Sequence, residues 1–281
     1  MTVGVIGAGT MGAGIAQACA GAGHEVLLQD VSERARRRGF EAISTSLSRL
    51  VKAERISEDD KAATLARITL TGDVDSLEEA DLVIEAIFED LEAKRKLWTQ
   101  LDGKLKEDAL LASNTSSLSI TQLASFVSTP ERFCGLHFFN PVAVLPLVEV
   151  VKGLRTSDET IKRAKAFVEG IGKTAIICQD RPGFIVNRLL VPYLNDAVHA
   201  LSEKLASAED IDTAMRLGAN MPMGPLALAD LVGLDVTLAA TESLFYEFGD
   251  GKFRPAPLLR QMVRAGKLGR KSGEGFYRYD S

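Results

Sequence analysis

The sequence has little of what metal centres and disulfide scaffolds are built from. Its three cysteines, Cys19, Cys134 and Cys178, are odd in number, far apart and form no CxxC pair. A disulfide framework and a thiolate metal site are therefore not expected. The usage is that of small buried hydrophobes in a reducing compartment. The three histidines, His24, His137 and His199, are equally isolated, so no metal is expected. No apolar run approaches the roughly 18 residues of a membrane-spanning helix, and no membrane partner is expected. MTVGVIGAGT enters a strand-like run at once, which leaves no room for a signal or transit peptide. With Met1 as the natural start, the expected location is cytoplasmic. An excess of positive charge is also missing. The 33 Lys and Arg residues stand against 38 Asp and Glu, a net charge of −5, which counts against a nucleic-acid partner.

What is present is a globular composition. The chain has 281 residues, 46% of them hydrophobic and 25% charged, enough for one large domain or two ordinary ones. From Thr2 to about Asp180, short apolar runs alternate with helical periodicity. VGVIG (3–7), EVLLQD (25–30), DLVIEAI (81–87), ALLASN (109–114), CGLHFF (134–139), LVEVV (147–151) and TAIIC (174–178) read as strands. Residues 11–22, 32–53, 90–106 and 157–170 read as helices between them. Apolar strands alternating with helices predict a Rossmann-like α/β domain, a doubly wound, mostly parallel sheet covered on both faces.

After Asp180 the character changes. Pro182-Gly183 punctuates the chain, and helical spacing covers 184–205, 209–217, 225–247 and 256–265. The expected organisation is a dinucleotide-binding domain over 1–182 and an all-helical domain over 183–281. The second is small and rich in Leu, Ala and Met, so part of its apolar surface is expected to meet a second copy of the chain. A homodimer through the helical domain is the expectation.

The first motif is GAGTMG, Gly7 to Gly12. GxGxxG alone is weak, but here it leaves a strand-like run and opens a helix-like one, and Asp30 ends the second strand candidate. Gly7 permits the tight turn, Gly9 lets a pyrophosphate approach the backbone, and Gly12 allows close helix–strand packing. The helix start, with Thr10 and Met11, offers N–H donors to the anion. Asp30 would accept from the adenosine ribose hydroxyls and repel a 2′-phosphate, which favours NAD over NADP. The other reading is an ordinary glycine-rich turn beside a surface aspartate.

The second feature is GLHFFNPVAVLPLVEV, Gly135 to Val150. This apolar ribbon carries an imidazole, His137, and a carboxylate, Glu149, separated by a strand, a Pro-bounded turn and the next strand back. That separation lets them face one another across adjacent strands. A satisfied core histidine and a solvent-facing edge carboxylate are the alternatives. Polar residues also gather where other apolar runs end, at Glu85, Glu89 and Ser113 to Ser117, which points to one shared cleft beyond the strand ends. A basic cluster, Arg34, Arg36, Arg37, Arg38, Arg49, Lys52 and Arg55, crowds one helical segment of an otherwise acidic chain. It reads equally as a solvated face.

GVIGAGTMGAGIAQ, SNTSSLSI, GLHFFNPV, LVEVV, DRPGFIVNRLLVPYLNDA, EDIDTAM, MGPLALADLVGLD and GRKSGEGFY, in this order, resemble the 3-hydroxyacyl-CoA dehydrogenase family over essentially the whole chain. Its short stand-alone members are the most similar. The resemblance implies NAD as cofactor, an acyl-CoA thioester as substrate and a catalytic His–Glu pair, His137 and Glu149. His137 would be the general base at the substrate C3 hydroxyl, and Glu149 would orient it. Ser116 and Asn187 would hydrogen-bond substrate; a helix cap and an interface hydrogen bond are their plainer readings. Glu89, Lys94 and Lys271 would contact the cofactor. Ser46 would touch the coenzyme A moiety, and Arg49 and Lys52 suit its phosphates. One family lysine of this helix falls at Ala53, with Lys52 beside it, so the basic face carries that expectation rather than one lysine. Two rival readings stand beside this one, a hydroxy sugar-acid dehydrogenase of the same fold and a non-catalytic NAD(H)-binding protein.

Overall fold

The computed structural model describes residues 1–279. The chain falls into two compact units, Met1–Arg181 and Pro182–Ser281. The first is built on eight strands: β1 (Thr2–Ile6), β2 (Glu25–Gln29), β3 (Ile68–Thr71), β4 (Leu82–Glu85), β5 (Leu110–Ser113), β6 (Phe133–Phe138), β7 (Leu147–Lys152) and β8 (Thr174–Gln179). They lie in the order β3-β2-β1-β4-β5-β6-β7-β8. Neighbours are parallel except β6 with β7. Six helices connect them: α1 (Thr10–Gly21), α2 (Glu33–Lys52), α3 (Glu58–Ala66), α4 (Leu91–Leu101), α5 (Ile120–Ala124) and α6 (Asp158–Gly170).

The central strands are apolar throughout because both their faces are covered. Val3, Val5, Leu82, Ile84, Ala112 and Leu136 are buried with Ile15, Ala16 and Cys19 of α1 and Ala164 and Val168 of α6. Each fully buried Val, Leu or Ile contributes about 1.5–3 kcal/mol relative to exposure. The strand order reverses between β1 and β4, and at such a point the carboxyl ends of the strands frame a crevice.

Three elements depart from the sequence expectation here, one of them α5, whose five residues are too few to show helical periodicity. β3, ITLT, is an eighth strand that the apolar runs did not mark. It sits at the sheet edge, where Ile68 is buried and Thr69 and Leu70 are exposed, so its hydrophobic signal is weak. α3 was also unmarked, because Thr64 is its buried residue and its first four positions are all charged. It starts instead on a capping box, in which Ser57 and Asp60 satisfy each other's backbone N–H groups.

The second unit contains α7 (Val186–Ser202), α8 (Ala208–Gly218), α9 (Pro225–Val232), α10 (Leu234–Phe248) and α11 (Pro257–Arg264). Leu194, Val198, Leu226, Ala229, Leu234, Ala256 and Leu259 form its core. The stretch 225–247, expected as one helix, is two. Gly233 adopts φ +103°, a conformation that only glycine enters without strain, and the chain breaks there. The C-terminal segment is held by Asp230, which accepts from the backbone N–H groups of Phe276 and Tyr277 and from the Tyr279 hydroxyl. Among the described residues, no helix is long and apolar enough to cross a membrane.

Candidate active site

The crevice begins at the turn after β1. Gly7 has φ +99°, and a Cβ on Gly12 would lie 1.8 Å from the Gly7 carbonyl oxygen, so turn and helix close up only with glycine at both places. A Cβ on Gly9, by contrast, would meet nothing within 4 Å. The backbone there faces open space. α1 has Gly9 as its N-cap, without a side-chain cap and without an acidic residue in its first turn. Its leading N–H groups are therefore left for an anion. Asp30, just past β2, accepts from Ala8 N–H at 3.0 Å and from Ser32 N–H at 2.9 Å. Its carboxylate is thereby fixed at the mouth of the turn. These features fit a dinucleotide.

His137 and Glu149 are directly paired in the antiparallel ladder of β6 and β7. Both are buried, at 4% and 0% exposure, and His137 Nδ1 lies 2.7 Å from Glu149 Oε2. A carboxylate can only accept, so this contact selects the tautomer with the proton on Nδ1. Nε2 is then left with a lone pair, and Ser116 Oγ stands 3.1 Å from it. The Phe139 ring leans on the imidazole, with centroids 4.5 Å apart. Such an imidazole can take a proton from a hydroxyl and return it.

Ser116 sits in the loop after β5, and Glu89 grips that loop. Glu89 Oε1 accepts from Thr115 Oγ1 at 2.5 Å, Ser116 N–H at 2.9 Å, Ser117 N–H at 3.0 Å and Ser117 Oγ at 3.0 Å. Its Oε2 lies 3.3 Å from the Lys94 ammonium. Burial pushes the Glu89 carboxyl up, but Lys94 and the hydrogen bonds outweigh it and hold the group below its usual value. Asn114 Oδ1 accepts from Phe138 N–H at 2.9 Å, which ties the same loop to β6. On the far side, Lys173 donates to the Val142 and Leu145 carbonyls at 2.6 and 2.9 Å and pins the turn between β6 and β7.

A cavity of about 370 Å³ opens between the nucleotide turn, α1, α2 and residues 140–143. Ser46 lines it, as do Arg38 and Gln17. Gln17 is buried and ends the GVIGAGTMGAGIAQ block, where no role was expected of it. Arg49 and Lys52 are exposed at the end of α2 and do not line the cavity. Two arginines of the basic cluster are already engaged: Arg36 donates to the Asp30 carbonyl, and Arg37 pairs with Glu33 at 2.6 Å.

The remaining expected residues lie elsewhere. Lys94 is 1% exposed and sits between Glu85 and Glu89. Asn187 is half-buried in the first turn of α7, and Lys271 pairs with Asp235 at 2.6 Å, both in the second unit. The thiols make poor nucleophiles, since burial pushes Cys19 and Cys134 up to about 12. Among the described residues no group of His, Cys, Asp and Glu could hold a metal ion.

Comparison with known proteins gives matches over the whole chain. Residues 2–181 match the NAD binding domain of 3-hydroxyacyl-CoA dehydrogenase, and residues 183–279 match its C-terminal domain. A probable 3-hydroxybutyryl-CoA dehydrogenase of Deinococcus radiodurans is 48% identical, over 99% of this chain and 100% of that one. The 3-hydroxybutyryl-CoA dehydrogenase of Clostridioides difficile is 45% identical, over 100% of both. Among solved structures, (S)-3-hydroxybutyryl-CoA dehydrogenase from Ralstonia eutropha aligns with a TM-score of 0.97 at 51% identity, covering 100% of this chain and 99% of that one.

Proposed function

The chain belongs to the 3-hydroxyacyl-CoA dehydrogenase family, and from that premise we propose that it interconverts (S)-3-hydroxybutyryl-CoA and acetoacetyl-CoA, with His137 and Glu149 as the catalytic pair. It is an NAD-dependent enzyme. The substrate follows the names of relatives that match end to end. What carries the catalytic reading is the contact of 2.7 Å between His137 Nδ1 and Glu149 Oε2, with Nε2 turned to Ser116.

In the oxidation, His137 Nε2 takes the proton of the C3 hydroxyl as the C3–O bond becomes a carbonyl. The imidazolium so formed is held by Glu149 through Nδ1–H, which lowers the barrier to that transfer. NAD, when bound, would supply the acceptor for the C3 hydride, and NADH the donor in the reverse direction. In that direction Nε2–H protonates the C3 oxygen. Ser116 would hold that oxygen beside Nε2, and Asn187 would donate a second hydrogen bond to the substrate. The turn Gly7–Gly12 and Asp30 would hold the dinucleotide, with Glu89, Lys94 and Lys271 as its further contacts. Ser46, in the cavity, with Arg49 and Lys52 beyond it, would receive the coenzyme A portion. The buried, apolar strands around His137 keep water from competing for the proton.

The test is the loss of NADH absorbance with acetoacetyl-CoA, run beside free acetoacetate and beside NADPH. Rapid loss with the thioester and NADH alone supports the reading. Loss with a free keto-acid in place of the thioester would favour the sugar-acid reaction. NADH binding without turnover would leave a cofactor-binding protein.

A further inference from the structure

We propose that Glu85 is a positioning residue: by neutralising the buried ammonium of Lys94 it leaves Glu89 free to hold the Ser116 loop against His137. This role rests on the reaction proposed above and adds a residue to it. Glu85 ends β4, is fully buried, and has each carboxylate oxygen engaged. Oε1 accepts from Lys94 Nζ at 2.6 Å and from Ile87 N–H at 2.9 Å, and Oε2 accepts from Ser113 Oγ at 2.7 Å. Lys94 is 1% exposed, so its charge has Glu85 and Glu89 as its partners and almost no water.

The two carboxylates divide the work unequally. Glu85 holds the ammonium at 2.6 Å, whereas Glu89 stands off at 3.3 Å and gives Oε1 to four donors of residues 115–117. A desolvated ammonium left with one carboxylate would draw that carboxylate in, because nothing else nearby offsets its charge. Glu89 would then leave the backbone N–H groups of Ser116 and Ser117, and Ser116 Oγ would lose its place 3.1 Å from Nε2. The ladder carries a second link. Glu85 is in register with Ser113, and Ser113 with Gly135. His137 lies two residues along β6 from Gly135, so strand alternation puts Glu85, Ser113 and His137 on one face of the sheet. The charged groups offered to that face are Glu85 from β4, Glu89 from the loop before α4, Lys94 from α4, and Glu149 from β7.

The experiment compares the full chain with Glu85→Gln and Glu85→Asp. Activity with acetoacetyl-CoA and NADH is expressed per NADH-binding site, which removes any effect of a lower folded fraction. The His137 resonance is followed by NMR against pH in the absence of ligand, and His137→Ala identifies it among three histidines. In Glu85→Gln, kcat per occupied NADH site is expected to fall about 10–100-fold, the usual result of misplacing a catalytic group, and NADH affinity to weaken as well, because Glu89 and Lys94 are also among the proposed cofactor contacts. Loss of one negative charge on this face should also move the His137 titration to lower pH, with His24 and His199 unmoved. Glu85→Asp keeps the charge and loses reach, so its kcat should fall while the titration stays in place; it also decides the matter if the Gln variant does not fold. Unchanged kcat per site in either folded variant, or an unmoved titration in Glu85→Gln, overturns the proposal. An inactive parent protein would refute the proposed reaction, and the NMR titration would still decide whether Glu85 acts on His137.

Discussion

His137 and Glu149 face each other across the single antiparallel step of an otherwise parallel sheet, Nδ1 to Oε2 at 2.7 Å. The geometry makes Glu149 an acceptor for a fixed proton, so in the proposed reaction its value lies in the charge it offers to the imidazolium. Glu149→Gln keeps the shape and removes that charge, and its amide can donate toward Nδ1 and favour the wrong tautomer. The expected result is a fall in kcat of about 10²–10⁴-fold, similar to that of His137→Ala. NADH binding, followed by fluorescence, should persist in both variants. Collapse of NADH affinity in both would assign the pair to the fold instead of the chemistry.

Asp30 has two separable duties. Its oxygens accept from Ala8 and Ser32 N–H groups, and in the proposed binding mode its charge stands where a 2′-phosphate would come. Asp30→Asn retains an acceptor and removes the charge, whereas Asp30→Ala removes both. The Asn variant should therefore gain on NADPH relative to NADH by about tenfold, the equivalent of 1.4 kcal/mol. The Ala variant should in addition lose affinity for NADH. Steady-state kcat/KM with each cofactor decides, and an unmoved ratio in the Asn variant counts against the charge as the discriminator.

Glu89 predicts a pH dependence with a definite sign. Its carboxyl is held below the usual 4.5 in the folded protein, against the upward push of burial, by Lys94 and by donors of residues 115–117. A group with a lowered folded value stabilises the protein above the unfolded value, and that contribution is lost as pH falls through the folded one. Melting curves should thus show Glu89→Gln to be less stable than the parent at pH 7. The difference should shrink as the pH falls below 4.5. A constant gap from pH 7 to pH 3 would mean that the ionised form has no special partner.

Much of this site was legible in the sequence, for reasons that differ from residue to residue. Gly7 and Gly12 of GAGTMG work through backbone geometry that glycine alone allows, and His137 and Glu149 are brought together by one short turn, so local spacing carries both. The helical second unit followed from its periodicity. β3 was invisible because an edge strand of four residues needs few apolar side chains, and the break at Gly233 because a positive φ leaves no trace in hydrophobic pattern. The partners of Lys94 were invisible too. Its burial depends on β4 and α4 meeting, and a lysine bound for the interior is written like any other. Gln17 is the same case, a helix residue whose position over a cavity only packing reveals.

The apolar residues left outside in the second unit bear on assembly. Leu189, Leu217 and Tyr246 are 69%, 79% and 86% exposed, and Leu231, Val232 and Val236 exceed 40%. We propose that this surface closes on a second copy of the chain, since a helical unit of this size gains stability by burying such residues. Light scattering at micromolar concentration should give twice the mass of 30.3 kDa. Leu189→Glu with Leu217→Glu should shift it toward the single chain; a monomer in the unsubstituted protein ends the proposal.

The two later glycines of the nucleotide turn should fail in opposite ways. A methyl group on Gly12 would sit 1.8 Å from the Gly7 carbonyl oxygen, inside the protein, and the turn or α1 would have to move. A methyl group on Gly9 meets no protein atom within 4 Å, so the fold can accept it. In the proposed binding mode the space it enters is the space a pyrophosphate needs. Gly12→Ala is therefore expected to lower stability by about 1–3 kcal/mol, the usual cost of overpacking, and to weaken NADH binding as a consequence. Gly9→Ala should leave the melting temperature near that of the parent and still weaken NADH binding. Calorimetry and NADH titration on the same two samples separate the effects. Equal melting temperatures in both variants would show that the Gly12 contact relaxes freely, and undiminished NADH affinity in Gly9→Ala would move the dinucleotide away from this turn.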